Sequence, residues 1–265
     1  MARFLQLTDL HVVAPGSLCS GVLDTGAILR AGVDRILAQM PAIGPLDGVL
    51  VTGDISDDGS AESYDLAQRE LARFGLPVYA VPGNHDSRGA FRAAFGGQVG
   101  MPASGLVDWV VDLPDTRLIG LDTLVEGQGA GRLQPDSLAF LTRALAGAGT
   151  RAVVVALHHP PMRIGIRFMD NIGLENTNDL AAAIPAKCAP VIFVAGHVHG
   201  VYLGRIGAHR VVTAPSLCSA FALDRRTDAP VGFLTGPTGY ALLDTGPDDS
   251  WTAQPLFMGD GPFDF

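Results

Sequence analysis

The chain has 265 residues, enough to bury one large shared core, and carries a formal charge of −9 with only 17% charged side chains. That acidic balance, with no clustered Lys/Arg run, excludes a nucleic-acid polymer as partner. No apolar run reaches the length of a membrane span, and the N-terminal MARFLQLTDLH lacks the apolar stretch of a signal peptide, so a cytoplasmic protein without membrane contact is expected.

From the N-terminus, Arg3–Thr8 alternates and ends in a polar turn, as a buried strand does. Thr25–Met40 follows with Ile28, Val33, Ile36 and Leu37 on one helical side. Gly48–Thr52 reads as the second strand, Ser60–Phe74 as a helix carrying Tyr64, Leu66, Ala67 and Leu71, and Pro77–Val81 as the third strand. Asp86 suits the N-cap of a helix starting near Ser87. A further helix is expected at Pro135–Ala146, where proline fits the first turn, and strands at Ala152–Leu157 and Val191–Ala195. Beyond residue 200, Val201–Ile206, His209–Val212, Tyr240–Asp244 and Trp251–Leu256 are short alternating segments split by Gly, Pro and Asp, which predicts antiparallel hairpins. The early strand–helix alternation gives an α/β fold with parallel strands, and a second sheet stacked on the first would use the remaining elements. No linker or repeat interrupts the chain, so residues 1–265 are read as a single domain.

The strand exits carry the chemistry. They are Asp9-Leu10-His11, Gly53-Asp54, Gly83-Asn84-His85-Asp86, His158-His159-Pro160 and Gly196-His197-Val198-His199. Ligands of open α/β sheets bind at the carboxyl ends of strands, so five exits aim Asp, Asn and His side chains at one crevice. Oxygen and imidazole donors without thiolate suit Mn, Fe, Co or Zn, and seven donors exceed one tetrahedral site. Two divalent metal ions are implied. Asp54 is the natural bridge between them, because Gly53 lets the turn bring its carboxylate close, while Asn84 contributes a neutral amide oxygen. Cys19, Cys188 and Cys218 follow no CxxC spacing and read as structural free thiols in a reducing compartment.

The segments DLH, GD, GNHD, HHP and GHVH, in this order, resemble the calcineurin-like metallophosphoesterase superfamily over residues 1 to about 215. HHPP followed by MDNIGLEN, and the later TAPSLCSAF and GPTGYALLD, are similar to its class III group of cyclic-nucleotide and glycerophosphodiester phosphodiesterases. The resemblance implies a four-layer α/β/β/α sandwich of two mixed sheets. It implies one metal held by Asp9, His11, Asp54 and His199, and a second held by Asp54, Asn84, His158 and His197. His85 holds no metal in that pattern; beside Asn84 it would stabilise phosphoryl oxygens or protonate the departing alkoxide. His159 is expected to pack or to support a neighbouring ligand, and His209 to lie at the surface.

The reaction so implied is hydrolysis of a small phosphodiester, a 3′,5′-cyclic nucleotide such as cyclic AMP or a glycerophosphodiester, by a hydroxide shared between the two ions. Two rival readings stay open. A phosphomonoesterase would use the same metals but needs further positive groups, for which only Arg163 and Arg167 lie in a suitable segment. A scaffold could keep the fold without activity, although every ligand and His85 are present. Residues 160–176 are read as a cap: Met162, Ile164, Ile166, Phe168 and Met169 give it more apolar surface than a solvated loop needs. Substrate, another subunit of a homo-oligomer, or the core would cover it. As a cap it would turn Asp170 and Asn176 toward the leaving group.

Overall fold

The structure is a computed structural model that describes residues 1–246 and 249–256. β1 (Arg3–Leu7), β2 (Gly48–Thr52) and β3 (Val78–Val81) pair in parallel, and α1 (Thr25–Ile43) and α2 (Ala61–Ala72) make the crossovers that parallel neighbours require. Each of these helices begins at a polar cap. Asp24 accepts from the Ala27 N–H at 2.8 Å and Ser60 from the Ser63 N–H at 3.2 Å, which satisfies donors that a helix start leaves free. Leu29, Val33 and Ile36 of α1 and Tyr64, Ala67 and Leu71 of α2 are buried in one apolar cluster with these strands. α3 (Arg88–Phe95) follows β3 and adds Phe91 and Phe95 to the same cluster.

The second sheet contains β4 (Trp109–Asp112), β5 (Thr116–Gly120), β6 (Ala152–Ala156), β7 (Val191–Ala195), β8 (Tyr202–Ile206) and β9 (His209–Thr213), in the order β4-β5-β6-β7-β9-β8. Period-two alternation separates its faces. Val154 and Ala156 join the cluster of the first sheet, while Val153 and Val155 pack with Leu141 and Leu145 of α4 (Pro135–Ala146) and Leu180 of α6 (Thr177–Ala183). Two mixed sheets therefore lie face to face with helices outside, a four-layer α/β/β/α sandwich. A buried polar bridge ties the layers together: Gln6 of β1 donates to the Ala195 carbonyl of β7 at 3.2 Å and accepts from the Trp251 indole at 3.0 Å.

The sheet memberships differ from the sequence reading in two respects. β9 is antiparallel to β8 but also parallel to β7, so this hairpin extends the second sheet. β10 (Gly239–Asp244) lies antiparallel to both β1 and β11 (Ser250–Pro255), so the last hairpin completes the first sheet. The β4–β5 hairpin was not anticipated; it is short, and its Trp109 lies where a Cβ on Gly120 would stand. Residues 160–176 fold over the GHVH turn. Ile166 and Met169, at and within the short helix α5 (Arg167–Asn171), are buried with Val198, and Phe168 and Ile172 pack at the rim. Among the described residues, no helix is long and apolar enough to cross a membrane.

Candidate metal centre

The carboxyl ends of β1, β2, β3, β6 and β7 converge, and their exit turns carry every donor singled out above. The turns are strained. Asp9, His11, Asp54, His197 and His199 all take φ between 45° and 70°, the left-handed region that costs L residues energy and clusters at functional sites. Glycines make the room. A Cβ on Gly53 would run into His158, one on Gly83 into Asp54, and one on Gly196 into Thr8 and Asp9.

His158 gives its Nδ1–H to the Thr52 carbonyl at 2.8 Å, so its Nε2 presents a lone pair. That nitrogen stands 3.3 Å from Asp54 Oδ2 and 3.1 Å from Asn84 Oδ1. With a neutral ring, three acceptors thus face one point, which is costly in a buried site unless a cation joins them. A second proton on His158 is one such cation: burial opposes it, but Asp54 pulls the His158 pKa up to about 9. A divalent ion answers the same demand and satisfies all three donors at once.

The neighbouring group repeats the pattern. His11 donates Nδ1–H to Asp57 Oδ1 at 2.9 Å, and His199 Nδ1 is hydrogen-bonded with Ser219 Oγ at 2.9 Å. Their two Nε2 atoms then meet at 3.1 Å. His199 Nε2 lies 3.3 Å from Asp9 Oδ1, and His11 Nε2 lies 3.6 Å from Asp54 Oδ2. Asp54 Oδ2 is common to both groups, while its Oδ1 accepts the His85 N–H at 2.9 Å, an arrangement suited to a bridging carboxylate. Burial works to raise both acids, yet His199 holds Asp9 below the usual carboxylate range and His158 holds Asp54 well below it. His197 donates Nε2–H to the Ile172 carbonyl at 3.0 Å, its ring centroid 5.1 Å from that of His158. Burial, then His159 and His158, keep it neutral, with Nδ1 left to donate. The donor set therefore fits two divalent ions: Asp9, His11, Asp54 and His199 would hold one, and Asp54, Asn84, His158 and His197 the other.

Residues 2–201 match the family model described as calcineurin-like phosphoesterase. The chain belongs to the calcineurin-like phosphoesterase family. It is 35% identical over 222 residues, 82% of this chain and 77% of the relative, to the 3′,5′-cyclic adenosine monophosphate phosphodiesterase CpdA of Pseudomonas aeruginosa. It is 30% identical over 264 residues, 98% of this chain and 96% of the relative, to a protein of Arcobacter nitrofigilis named probable glycerophosphodiester phosphodiesterase GpdQ. Among solved structures, a dimetal phosphatase from Danio rerio superposes with a TM-score of 0.68 at 15% identity, covering 97% of this chain and 96% of that one, which shows the shared fold.

His85 follows Asn84 at the β3 exit and lies beside His11, sharing the Asp57 carboxylate with it. His85 is 42% exposed, and its Nδ1 stands 3.0 Å from Asp57 Oδ1 as an ion pair, which leaves Nε2 to the cleft. Burial opposes its protonation, but Asp57 and Asp54 raise its pKa to about 9. Asp57 is the residue that sequence reasoning missed: one oxygen of it orients both His11 and His85. His159 is buried with both ring nitrogens engaged, Nδ1 with Thr123 Oγ1 at 2.8 Å and Nε2 with the Gly129 carbonyl at 3.0 Å. Burial and His158 lower its pKa to about 3, so it is a neutral brace against His197, 4.4 Å away ring to ring.

Several expectations need correction. Asp170 is not turned to the cleft: its carboxylate accepts the N–H groups of Ile164 at 2.8 Å and Gly165 at 3.1 Å, closing its own loop. Asn176 is buried and spends its amide on Leu133, accepting from its N–H at 3.0 Å and donating to its carbonyl at 2.9 Å. Neither has a side chain left for a leaving group. Ser87, not Asp86, is the N-cap of α3. Asp86 is buried and accepts from Gly83 N, Ser56 N and Tyr64 OH at 2.8, 3.1 and 2.8 Å, tying the β2 and β3 exits together. His209 is half-buried in β9, where Nδ1 accepts the Val191 N–H at 3.1 Å. The cysteines are unbridged; burial pushes the Cys19 thiol up to about 11 and the Cys218 thiol to about 12, the setting of inert thiols.

Proposed function

We propose that the chain is a dinuclear metal-dependent phosphodiesterase, a single catalytic domain hydrolysing small phosphodiesters, either 3′,5′-cyclic nucleotides such as cyclic AMP or glycerophosphodiesters. The observation that carries the reading is the convergence of lone pairs from His158, Asn84 and Asp54, and from His11 and His199, around one shared carboxylate oxygen. The names of the relatives in Pseudomonas aeruginosa and Arcobacter nitrofigilis support the substrate class. A cytoplasmic location belongs to the same proposal, and three unbridged thiols suit it.

When bound, two divalent ions supply Lewis acidity, polarising phosphoryl oxygens and acidifying water. Asp54 orders the two ligand groups around its Oδ2 and is itself fixed by the His85 N–H. His85 serves the departing group. As the ester P–O bond breaks, its Nε2–H passes to the leaving oxygen, and Asp57 stabilises the imidazolium beforehand through Nδ1. The nearby cations do not support a monoester dianion: Arg163 is 81% exposed and turned to Asp170, Arg167 donates to the Thr227 carbonyl, and neither lines the cleft.

The test is a set of rates on protein reconstituted with Mn or Fe. Cyclic AMP, a glycerophosphodiester and bis(p-nitrophenyl) phosphate should each turn over at least roughly tenfold faster than p-nitrophenyl phosphate. Faster cleavage of the monoester would replace the reading with a phosphomonoesterase. No turnover of any ester by protein holding two ions would leave the scaffold.

A further inference from the structure

The cleft over the metal centre, about 270 Å³, has two unlike walls. One carries the candidate ligands with Asp57 and His85; the other is apolar, built from Leu23, Phe168, Ile172, Phe221, Val231 and Phe233. Neither wall contributes a lysine or arginine. The hydroxyls on this rim are few. Ser219 Oγ is taken by His199, and Ser20 stands beside Cys19 Sγ at 4.0 Å.

Phe221 is held from two directions. Its ring lies over the imidazole of His199 with centroids 4.5 Å apart at 31°, and Phe168 meets it edge-on at 5.1 Å and 87°. An aromatic plane is thus fixed one residue's thickness from a ligand of the metal centre. A substrate whose phosphorus sits on the ions can lay the rest of its body along this wall. A glycerol headgroup would bury its hydroxyls there with almost no partners, which disfavours it. A flat group with a π face gains contact without needing hydrogen bonds, as stacked bases do on aromatic side chains.

We infer that Phe221, with Phe168 beside it and Phe233 elsewhere on the same cleft, is the leaving-group wall of this site and selects phosphodiesters carrying a nucleobase over those carrying a glycerol headgroup. The inference rests on the phosphodiesterase reading above for its chemistry, but its test does not depend on turnover. Adenosine 5′-monophosphate and glycerol 3-phosphate, which share the phosphate and differ in the remainder, are titrated calorimetrically into Mn-loaded protein. The nucleotide should bind roughly 10- to 100-fold more tightly, and Phe221→Ala should remove most of that ratio while Phe221→Trp keeps it. Phe233→Ala, which removes a cleft-lining residue that packs with Cys19 and Leu23, should reduce the ratio in the same direction. Ion content is measured alongside, because Phe221 also backs His199. Equal affinity for both ligands in the unmodified protein, or an equal loss for both in Phe221→Ala and Phe233→Ala, would overturn the assignment. Absence of turnover with a retained nucleotide preference would count against the reaction and not against the wall.

Discussion

One oxygen, Asp57 Oδ1, accepts from Nδ1 of His11 at 2.9 Å and lies 3.0 Å from Nδ1 of His85. It sets the tautomer of a metal-ligand candidate and places a negative charge beside the proposed acid. Asp57→Asn keeps the shape but gives up the charge that favours a protonated His85. Turnover of a diester with an alkoxide leaving group should fall roughly 10- to 100-fold, the usual cost of losing such a partner, with a smaller loss for bis(p-nitrophenyl) phosphate. His85→Ala should retain two ions by elemental analysis and lower turnover by roughly 10²–10⁴; a drop in ion content instead would make His85 a ligand. The ligand candidates were legible because donor types recur at strand exits in a fixed order. Asp57 was not, since it looks the same as Asp58, whose carboxylate merely accepts from Ala14 N and Ser60 N at 2.8 and 3.0 Å. The left-handed backbone at five of the ligand candidates was equally hidden, because nothing in an Asp or His side chain announces that φ.

Strands and helices could be read from periodicity, but their partners could not. A period-two run says that one face is buried; it does not say against which strand, and β9 and β10 joined their sheets through pairings distant in sequence. Residues 160–176 show the same limit. Ile166 and Met169 are buried with Val198, and Phe168 and Ile172 line the cleft, but Asp170 and Asn176 spend their side chains on backbone partners. Asp170→Ala should therefore cost stability, about 1–2 kcal/mol for two part-buried N–H groups left unmet, checked by denaturant unfolding. The exit glycines give a sharper contrast. Gly196→Ala places a Cβ against Thr8, the Thr52 carbonyl and Asp9 and should lower stability by about 1–3 kcal/mol together with ion content. Gly97→Ala meets nothing within 4 Å and should stay within roughly 0.5 kcal/mol of the parent. Equal effects would mean the exits are looser than drawn.

The two sheets bring their Asp, Asn and His donors together at this end of the sandwich. β1, β2 and β3 deliver Asp9, His11, Asp54 and Asn84, while β6 and β7 deliver His158, His197 and His199. Each ion would therefore take donors from both sheets and act as a cross-link between them. Without ions, Asp9 and Asp54 stay buried and repel each other. An unfolded chain cannot gather these donors, so binding free energy adds to folding free energy. Free ion at a hundredfold excess over its dissociation constant stabilises by about 2.7 kcal/mol, and a chain of this size gains roughly 2–4 °C per kcal/mol. Saturation of one site by Mn should then raise the melting temperature of EDTA-treated protein by roughly 5–10 °C, and filling the second should raise it further. Asn84→Ala removes a donor of one group only, so it should shrink the second increment and leave the first. Scanning calorimetry at stepped Mn concentrations reads both. A melting temperature that ignores Mn in the parent protein would show that these donors do not gather a cation between the sheets.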